Sequence, residues 1–292
     1  MLGIAIALAA ACTWGLSDFC AGRFSRRVPV LAVLLFVEGA GLVTLLLAVA
    51  IVQPSFPAWE QALPAMGAGA AGAVALGLFY QALSIGSMSI VAPLAATGAI
   101  VPVVVGIAGG DRVTVLIGAG LLVAFLGVLL ASREAEEEVA GEASTSPADP
   151  ARSAASRVSI VLALCAAVGF GLFFIGYDRG AEGGVLWAAT LARLTAVPLI
   201  AVAVLVTRTG LPRGRTAWGL AGNGQLDCAA TALYALAATK ADLVVVAVVG
   251  SLYPVVTVLL ARTILKERMG LLQGIGVAAA LLGVVLVSVG SA

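Results

Sequence analysis

The chain has 292 residues, of which 62% are hydrophobic and 11% charged, and its formal net charge at pH 7 is +1. A typical soluble domain is about 45–50% apolar and about 25% charged, so this chain has too few polar residues to cover a folded surface in water. The surplus apolar surface must face lipid, which excludes a soluble globular protein. A nearly neutral charge also excludes a nucleic-acid-binding protein, which needs a concentrated basic face. The sequence lacks histidine, the commonest metal ligand, and we expect neither a metal nor a cofactor.

Ten predicted membrane spans follow one another along the chain. Each is a run of roughly 20 mostly apolar residues, the length that crosses about 30 Å of hydrocarbon as a helix. The runs are continuously apolar rather than alternating, which favours helices over a barrel. The predicted fold class is therefore an all-α integral membrane protein with ten transmembrane helices. Their predicted bounds are 2–22, 30–52, 64–84, 89–108, 113–131, 158–177, 185–206, 217–238, 242–263 and 270–290.

A polar segment divides the spans into two groups of five. Residues 133–157 are acidic at first and then rich in Ser, Ala and Pro, which predicts a flexible linker. The predicted domains on either side are residues 1–132 and 158–292, each a five-helix repeat.

The two halves resemble each other in sequence. Asp111–Ser132 aligns with Glu267–Ser288 without a gap, and Trp14-Gly15-Leu16 lines up with Phe170-Gly171-Leu172. Because each half has an odd number of spans, the second half enters the membrane from the opposite side. Two similar units of opposite orientation form an inverted repeat, which is typical of secondary transporters.

Two stretches carry a resemblance to a known family. They are WGLSDFCAGRFSRR in the first span and its loop, and the run from ALYALAATKADLVVV to LLGVVL, which contains P-x₁₂-E-R and Q-x-x-G. Together with the doubled five-span unit, they resemble the drug/metabolite transporter superfamily in its EamA-type branch. The resemblance implies a secondary active transporter, an exporter of small metabolites or drugs working by alternating access in a bacterial cytoplasmic membrane. The chain departs from the pattern at Glu38, where such proteins often have Arg, a place that Arg193 fills in the second half.

Four ionisable side chains lie inside predicted spans. An ionisable group at the centre of a membrane helix costs about 2.5–3.5 kcal/mol, so it usually faces a cavity or a partner. These residues are Asp18, Glu38, Arg193 and Asp227. Glu38 and Arg193 occupy equivalent places in the two halves, and we expect Arg193 to pair with Glu38 or Asp227. Such pairs either line a transport path or only hold helices together.

The surroundings of the two aspartates suggest a path. Asn223 precedes Asp227 by one helical turn on the same face, and two glycines beside it permit local bending. Trp14 stands one turn before Asp18, where it would form an aromatic wall beside the carboxylate. Asp18 either points into a wet interior path or snorkels toward the interface near Arg23. The predicted path residues are Trp14, Asp18, Glu38, Arg193, Asn223 and Asp227.

Two further predictions concern coupling and bending. A carboxyl group inside a transporter is a candidate proton carrier, and we assign that role to Asp227. Pro102 and Pro254 stand at matching places in the two halves, so we predict a pair of helix kinks there. Bending without any gating role explains these prolines equally well.

Other classes of protein match the sequence less well. The motifs H-E-x-x-H, G-x-S-x-G and G-x-x-x-x-G-K-[ST] are absent, so we predict no enzyme and no direct ATP drive. A channel would need rings of like residues or a filter loop. The remaining alternative is a non-transporting membrane scaffold or a lipid-handling membrane protein. We expect the partners to be a small-molecule substrate, protons and the lipid bilayer, without nucleic acid, for a monomer or a homodimer.

Basic residues mark the cytoplasmic ends of the spans. By this count both termini face outside, whereas the family resemblance implies that both are cytoplasmic. We give more weight to the charge count because it uses the residues of this chain. Most basic residues lie in the loops after spans 1, 5, 7 and 9, namely Arg23, Arg26, Arg27, Arg133, Arg152, Arg157, Arg208, Arg213, Arg215, Arg262, Lys266 and Arg268.

Overall fold

The part of the chain that the structure describes is a bundle of ten α-helices without a strand. The structure is a computed structural model, and it describes residues 2–101, 104–105, 114–142, 150–238, 240, 249, 252–267 and 270–290. A short 3₁₀ turn, Thr97–Ala99, follows the fourth helix. The helices are α1 (Leu2–Ser25), α2 (Val30–Val52), α3 (Trp59–Ile85), α4 (Met88–Ala96), α5 (Val115–Glu142), α6 (Pro150–Ala181), α7 (Val185–Val206), α8 (Arg215–Ala238), α9 (Tyr253–Ile264) and α10 (Leu271–Gly290).

Five of the described helices are long and apolar enough to cross a membrane, namely α1, α2, α3, α6 from Ala155 onward, and α7. The bounds of α2 and α7 coincide with the predicted spans 30–52 and 185–206. Helices α4 and α9 are shorter than the predicted spans 89–108 and 242–263, and most of the remainder of those spans falls outside the described residues.

The structure shortens the predicted linker. Helix α5 continues to Glu142 and helix α6 begins at Pro150, so both ends of the segment 133–157 are helical. Alanine, glutamate and arginine, which dominate these ends, are strong helix formers, and proline is well suited to the first position of a helix. The acidic and Ala/Ser-rich composition therefore did not exclude helix at either end of the segment.

Many of the buried side chains are alanine, whereas many large apolar side chains are exposed on the outside. Ala7, Ala62 and Ala82 are completely buried, while Ile51 and Leu271 are each 82% exposed. Lipid tails are as apolar as aliphatic side chains, so no hydrophobic effect drives large side chains into the bundle, and small residues let helix backbones approach closely. This distribution is what a bundle surrounded by hydrocarbon requires.

Helices α5 and α10, the last helices of the two halves, pack against each other in opposite directions. The backbone of Gly127 lies against Ala280, and that of Gly283 lies against Ala124. A Cβ atom on Gly283 would stand 2.6 Å from the Cα of Ala124, which is closer than two carbons can approach. Because residue numbers fall along one helix as they rise along the other, the two helices are antiparallel.

A second matched pair of contacts joins the middle helices. A Cβ atom on Gly69 of α3 would overlap the carbonyl group of Ala192 on α7, and a Cβ atom on Gly224 of α8 would overlap that of Val37 on α2. In the sequence repeat, α3 corresponds to α8 and α7 to α2. Each contact is therefore the counterpart of the other.

A third matched pair involves the glycines that follow Trp14 and Phe170. Gly15 on α1 lies against Tyr253 at the start of α9, and Gly171 on α6 lies against Val101, just after α4. A Cβ atom at Gly15 would lie 2.5 Å from the carbonyl oxygen of Tyr253. In the sequence repeat α1 corresponds to α6 and α9 to α4, so these two contacts are also counterparts of each other.

We predict that these close approaches limit stability. Changing Gly283 to Ala forces α10 away from Ala124 and should lower the free energy of unfolding by about 1–3 kcal/mol, the usual cost of overpacking. The matched control is Gly274→Ala on the same helix, where a Cβ meets nothing within 4 Å. That change should be neutral or stabilise by about 0.5–1 kcal/mol. Thermal unfolding of the purified variants in detergent measures both, and equal Tm values would contradict the packing described here.

Candidate functional site

Arg193 lies between two carboxylates from different helices. Its Nη1 is 3.1 Å from Oε2 of Glu38 on α2, and its Nη2 donates a short hydrogen bond to Oδ2 of Asp227 on α8. The side chains of Arg193 and Glu38 are only 11% and 12% exposed, and that of Asp227 is 26% exposed. The predicted pairing of Arg193 with Glu38 or Asp227 is confirmed, since Arg193 contacts both. We call these three residues the charge triad.

The local sequence explains how the triad fits between the helices. Gly41 stands one turn after Glu38 on α2, and a Cβ atom there would lie 2.6 Å from Nη1 of Arg193. Glycine at this position therefore leaves room for the guanidinium. Its planar fork of donors suits two carboxylates better than a lysine would.

Helix α8 owes its position partly to Gln225. The Gln225 side-chain amide donates to the carbonyl of Ala40, at 3.1 Å, and accepts a hydrogen bond from the Thr44 hydroxyl, at 2.7 Å. Both partners are on α2. These bonds hold α8 against α2 beside the triad, so the polar character of α8 is structural in part.

Asn223 is buried, but its side-chain amide makes no hydrogen bond to any described residue. The residue is 3% exposed, and neither the nitrogen nor the oxygen of its amide has a hydrogen-bond partner among the described residues. Its main-chain carbonyl accepts a weak bond, 3.4 Å long, from Ser17 on α1. Leaving a buried amide unpaired costs about 1–3 kcal/mol, so this side chain calls for a water molecule or a ligand.

Asp18 lies on the α1 side of the same interior region. It is within electrostatic range of Asp227 and Tyr253 rather than of Arg23, which supports the interior position over snorkelling. The carboxylate makes no ion pair within the described part of the chain. Asp18 is partly exposed although it lies within the apolar run of α1.

Trp14, predicted to lie beside Asp18, is part of an aromatic cluster. Its ring centroid is 5.5 Å from that of Tyr234 on α8 and 6.4 Å from that of Tyr253 on α9. All three rings are partly exposed. We call these residues the aromatic wall.

Sequence reasoning missed Tyr80 of α3. It is 1% exposed and lies within electrostatic range of Asp18 and of all three members of the triad. The only signal was a phenol inside an otherwise apolar run, and such a tyrosine is common at membrane interfaces as well.

Of the two predicted kink prolines, the structure describes only Pro254. Pro102 lies outside the described residues. Pro254 is the second residue of α9, within the first turn. Proline fits there because the missing N–H would have no partner in any case, so Pro254 begins α9 rather than kinking it.

No three His, Cys, Asp or Glu side chains of the described residues lie together as a metal site. The clustered carboxylates Glu38 and Asp227 are occupied by a guanidinium instead. The arrangement can bind ions through side-chain charge.

A second polar network closes one end of the bundle. Glu267, in the loop before α10, accepts hydrogen bonds from the Ser87 hydroxyl at 2.9 Å and from the backbone N–H of Ser89 at 3.1 Å. Arg26, after α1, contacts the same carboxylate at 3.0 Å and also donates to the carbonyl of Gly86 at 2.9 Å. We call this network the latch, since it joins loops from both halves.

The latch also sets the charge state of Glu267. Burial of the carboxyl group raises its pKa, but the hydrogen bonds from Ser89, Arg26 and Ser87 outweigh burial, so the pKa of Glu267 is lowered from its ordinary value. A carboxylate at the N-terminus of α4 is also favoured by the helix dipole. Because the folded-state pKa is depressed, the stabilisation is complete above the ordinary glutamate pKa and is lost as the pH falls through the folded-state value.

We predict that Glu267→Gln opens the latch. The free energy of unfolding should fall by about 1.5–3 kcal/mol, the range for a hydrogen bond to a charged group. The control is Glu60→Gln, because Glu60 is exposed in the first turn of α3. Thermal unfolding across pH 3–8, about the range in which a glutamate titrates, should show the two variants diverging above the ordinary pKa and converging in acid. A constant difference, or none, would contradict the role assigned to Glu267.

Comparisons with known proteins agree with this architecture. The EamA-like transporter family matches residues 1–133 and 157–289. One solved structure, described as "Crystal structure of protein", has a TM-score of 0.65, covers 98% of this chain and 97% of that chain, and is 15% identical. At that identity the likeness shows a shared fold. No curated protein matches the chain. Since the two matched segments span nearly all of the sequence, the chain belongs to the EamA-like transporter family, whose members are multi-pass membrane proteins that transport small molecules.

Proposed function

We propose that the protein is a secondary active carrier that exports small metabolites or drugs by alternating access. The observation that carries this proposal is the charge triad, in which Arg193 joins a carboxylate from each half inside an apolar bundle. A charged site between two halves is where transporters of repeated architecture bind substrate and coupling ion.

The proposed architecture is a pair of inverted five-helix repeats with ten spans, residues 1–132 and 158–292. Three matched pairs of glycine contacts support it, because each is converted into its counterpart when the halves are exchanged. The antiparallel packing of α5 against α10 supports the opposite orientation, since these two helices correspond in the repeat. The two family matches, one in each half, agree with the same division.

Alternating access requires that each end of the bundle close in turn. The latch joins Arg26 and Ser87 of the first half to Glu267 of the second half, and it is our candidate for the gate at that end. Charge-assisted hydrogen bonds that break one by one suit a gate, because they close firmly without a large apolar contact.

Proton coupling is assigned to Asp227. When Asp227 takes a proton, Arg193 still has Glu38 as a partner, so the guanidinium is never left buried without a negative charge. This sharing avoids the large penalty for an unpaired buried charge. The charge count over the basic loops supports an orientation with both termini outside a bacterial cytoplasmic membrane.

The alternative, a scaffold or lipid-handling protein, uses the triad only to hold α2, α7 and α8 together. The two functions differ in one measurable property, because only a carrier gives saturable flux that depends on a gradient across the membrane.

We predict that Asp227→Asn uncouples transport in proteoliposomes. Uptake driven by a proton gradient should fall about tenfold or more, equivalent to about 1.4 kcal/mol, whereas solute exchange without a gradient should persist. The control is Asp178→Asn, the same change at an exposed carboxylate near the end of α6. Unchanged driven uptake in the Asp227 variant would rule out its coupling role. Absence of saturable flux in the wild-type protein would favour the scaffold.

A further inference from the structure

We propose that Asp18 and the aromatic wall together bind an organic monocation, an ammonium group with apolar substituents. The inference rests on the proposed carrier function and names the substrate class of its central site. Four independent features of the described residues support it: the charge balance, the aromatic rings, an unpaired amide and the division of labour with Arg193.

The charge balance leaves one carboxylate without a cation. The interior region holds three carboxylates, Asp18, Glu38 and Asp227, and Arg193 contacts only the last two. Asp18 has a like charge within electrostatic range, that of Asp227, and no ion pair within the described part of the chain. A substrate with one positive charge would supply the missing partner.

The aromatic wall indicates that this cation is organic. Trp14 lies one turn from Asp18 on α1, and its ring is in contact with those of Tyr234 and Tyr253. The face of an aromatic ring attracts a cation that approaches within about 6 Å, and tryptophan does so best. A hard inorganic cation such as Mg²⁺ or Ca²⁺ would require several oxygen ligands, which aromatic rings do not supply.

Asn223 supplies an independent sign that a polar group enters the same region. Asn223 is only 3% exposed, and neither the nitrogen nor the oxygen of its side-chain amide has a hydrogen-bond partner among the described residues. Its main-chain carbonyl accepts a hydrogen bond from Ser17, so Asn223 packs against α1 at the residue before Asp18. The amide oxygen is an acceptor for an N–H or O–H of the bound solute.

Arg193 makes the site selective for a cation. By neutralising part of the charge of Glu38 and Asp227, it leaves Asp18 as the carboxylate available to a ligand. An anionic solute would meet three negative groups, and a neutral solute would leave Asp18 unpaired. Both would bind less well than a monocation of the same shape, which is discrimination by an unsatisfied charge.

The test uses Trp14 as the reporter in the full-length protein. The variant Trp59→Phe/Trp187→Phe/Trp218→Phe leaves Trp14 as the single tryptophan, because the chain has four. Choline should change its fluorescence saturably, whereas 3,3-dimethylbutan-1-ol, the neutral carbon isostere of choline, should have little effect. Tetraethylammonium extends the test to a larger cation.

Two pairs of substitutions in this single-tryptophan protein separate the contribution of charge from that of the aromatic ring. Asp18→Asn should weaken choline binding about tenfold or more, whereas Asp178→Asn should not. Tyr234→Leu removes a ring and should weaken binding, whereas Tyr234→Phe keeps the ring and should retain it. Circular dichroism and gel filtration establish that each variant is folded.

The outcomes separate this inference from the carrier proposal. Equal responses to choline and to its isostere, no response to either cation, or full binding by Asp18→Asn would overturn the cation site. Saturable flux of neutral or anionic solutes in proteoliposomes would then leave the carrier standing with another substrate class. Choline binding that requires Asp18, in a protein that moves no solute, would support the cation site and overturn the carrier.

Discussion

The structure depends on one arginine that two carboxylates share. Arg193 is nine residues into α7, where an unpaired charge is expensive in an apolar environment. Glu38 and Asp227 remove that cost from two directions, and in doing so they fix the distances between α2, α7 and α8. The small residues around the triad follow from it, since Gly41 makes room for the guanidinium and Gly224 lets α8 approach α2.

The triad also divides the interior between two tasks. The guanidinium faces two carboxylates, so in the proposed cycle one carboxylate can take a proton while the other keeps the arginine paired. Among the described residues, Asp18 makes no ion pair and the side-chain amide of Asn223 makes no hydrogen bond, and with the aromatic wall they form the proposed solute site. The latch is remote from both, at the ends of α1, α3 and α9, and involves loops of both halves. The proposed binding, coupling and gating roles thus fall on different residues.

Much of this could be predicted from the sequence because the bilayer imposes simple rules. A run of apolar residues must be a helix, and a charge within it must have a reason, which is how Asp18, Glu38, Arg193 and Asp227 were found. The latch could not be found in this way, since Arg26 and Glu267 stand in loops where charges are ordinary and their pairing joins residues 241 positions apart. The length of the linker was overestimated for a related reason, because its composition reports exposure to water and the same residues form helices well.

The central claim is that the two halves move as opposed units around an interior site. Pulsed electron–electron double resonance measures this most directly, because it gives the distance between two spin labels. One labelled pair is at Arg27 and Arg262, near the latch, and the other is at Ser55 and Glu182, at the opposite end. The account predicts two populations in which the first distance lengthens as the second shortens, with Glu267→Gln favouring the form that is open at the latch. Distances that change together, or a single population at both ends under all conditions, would contradict it.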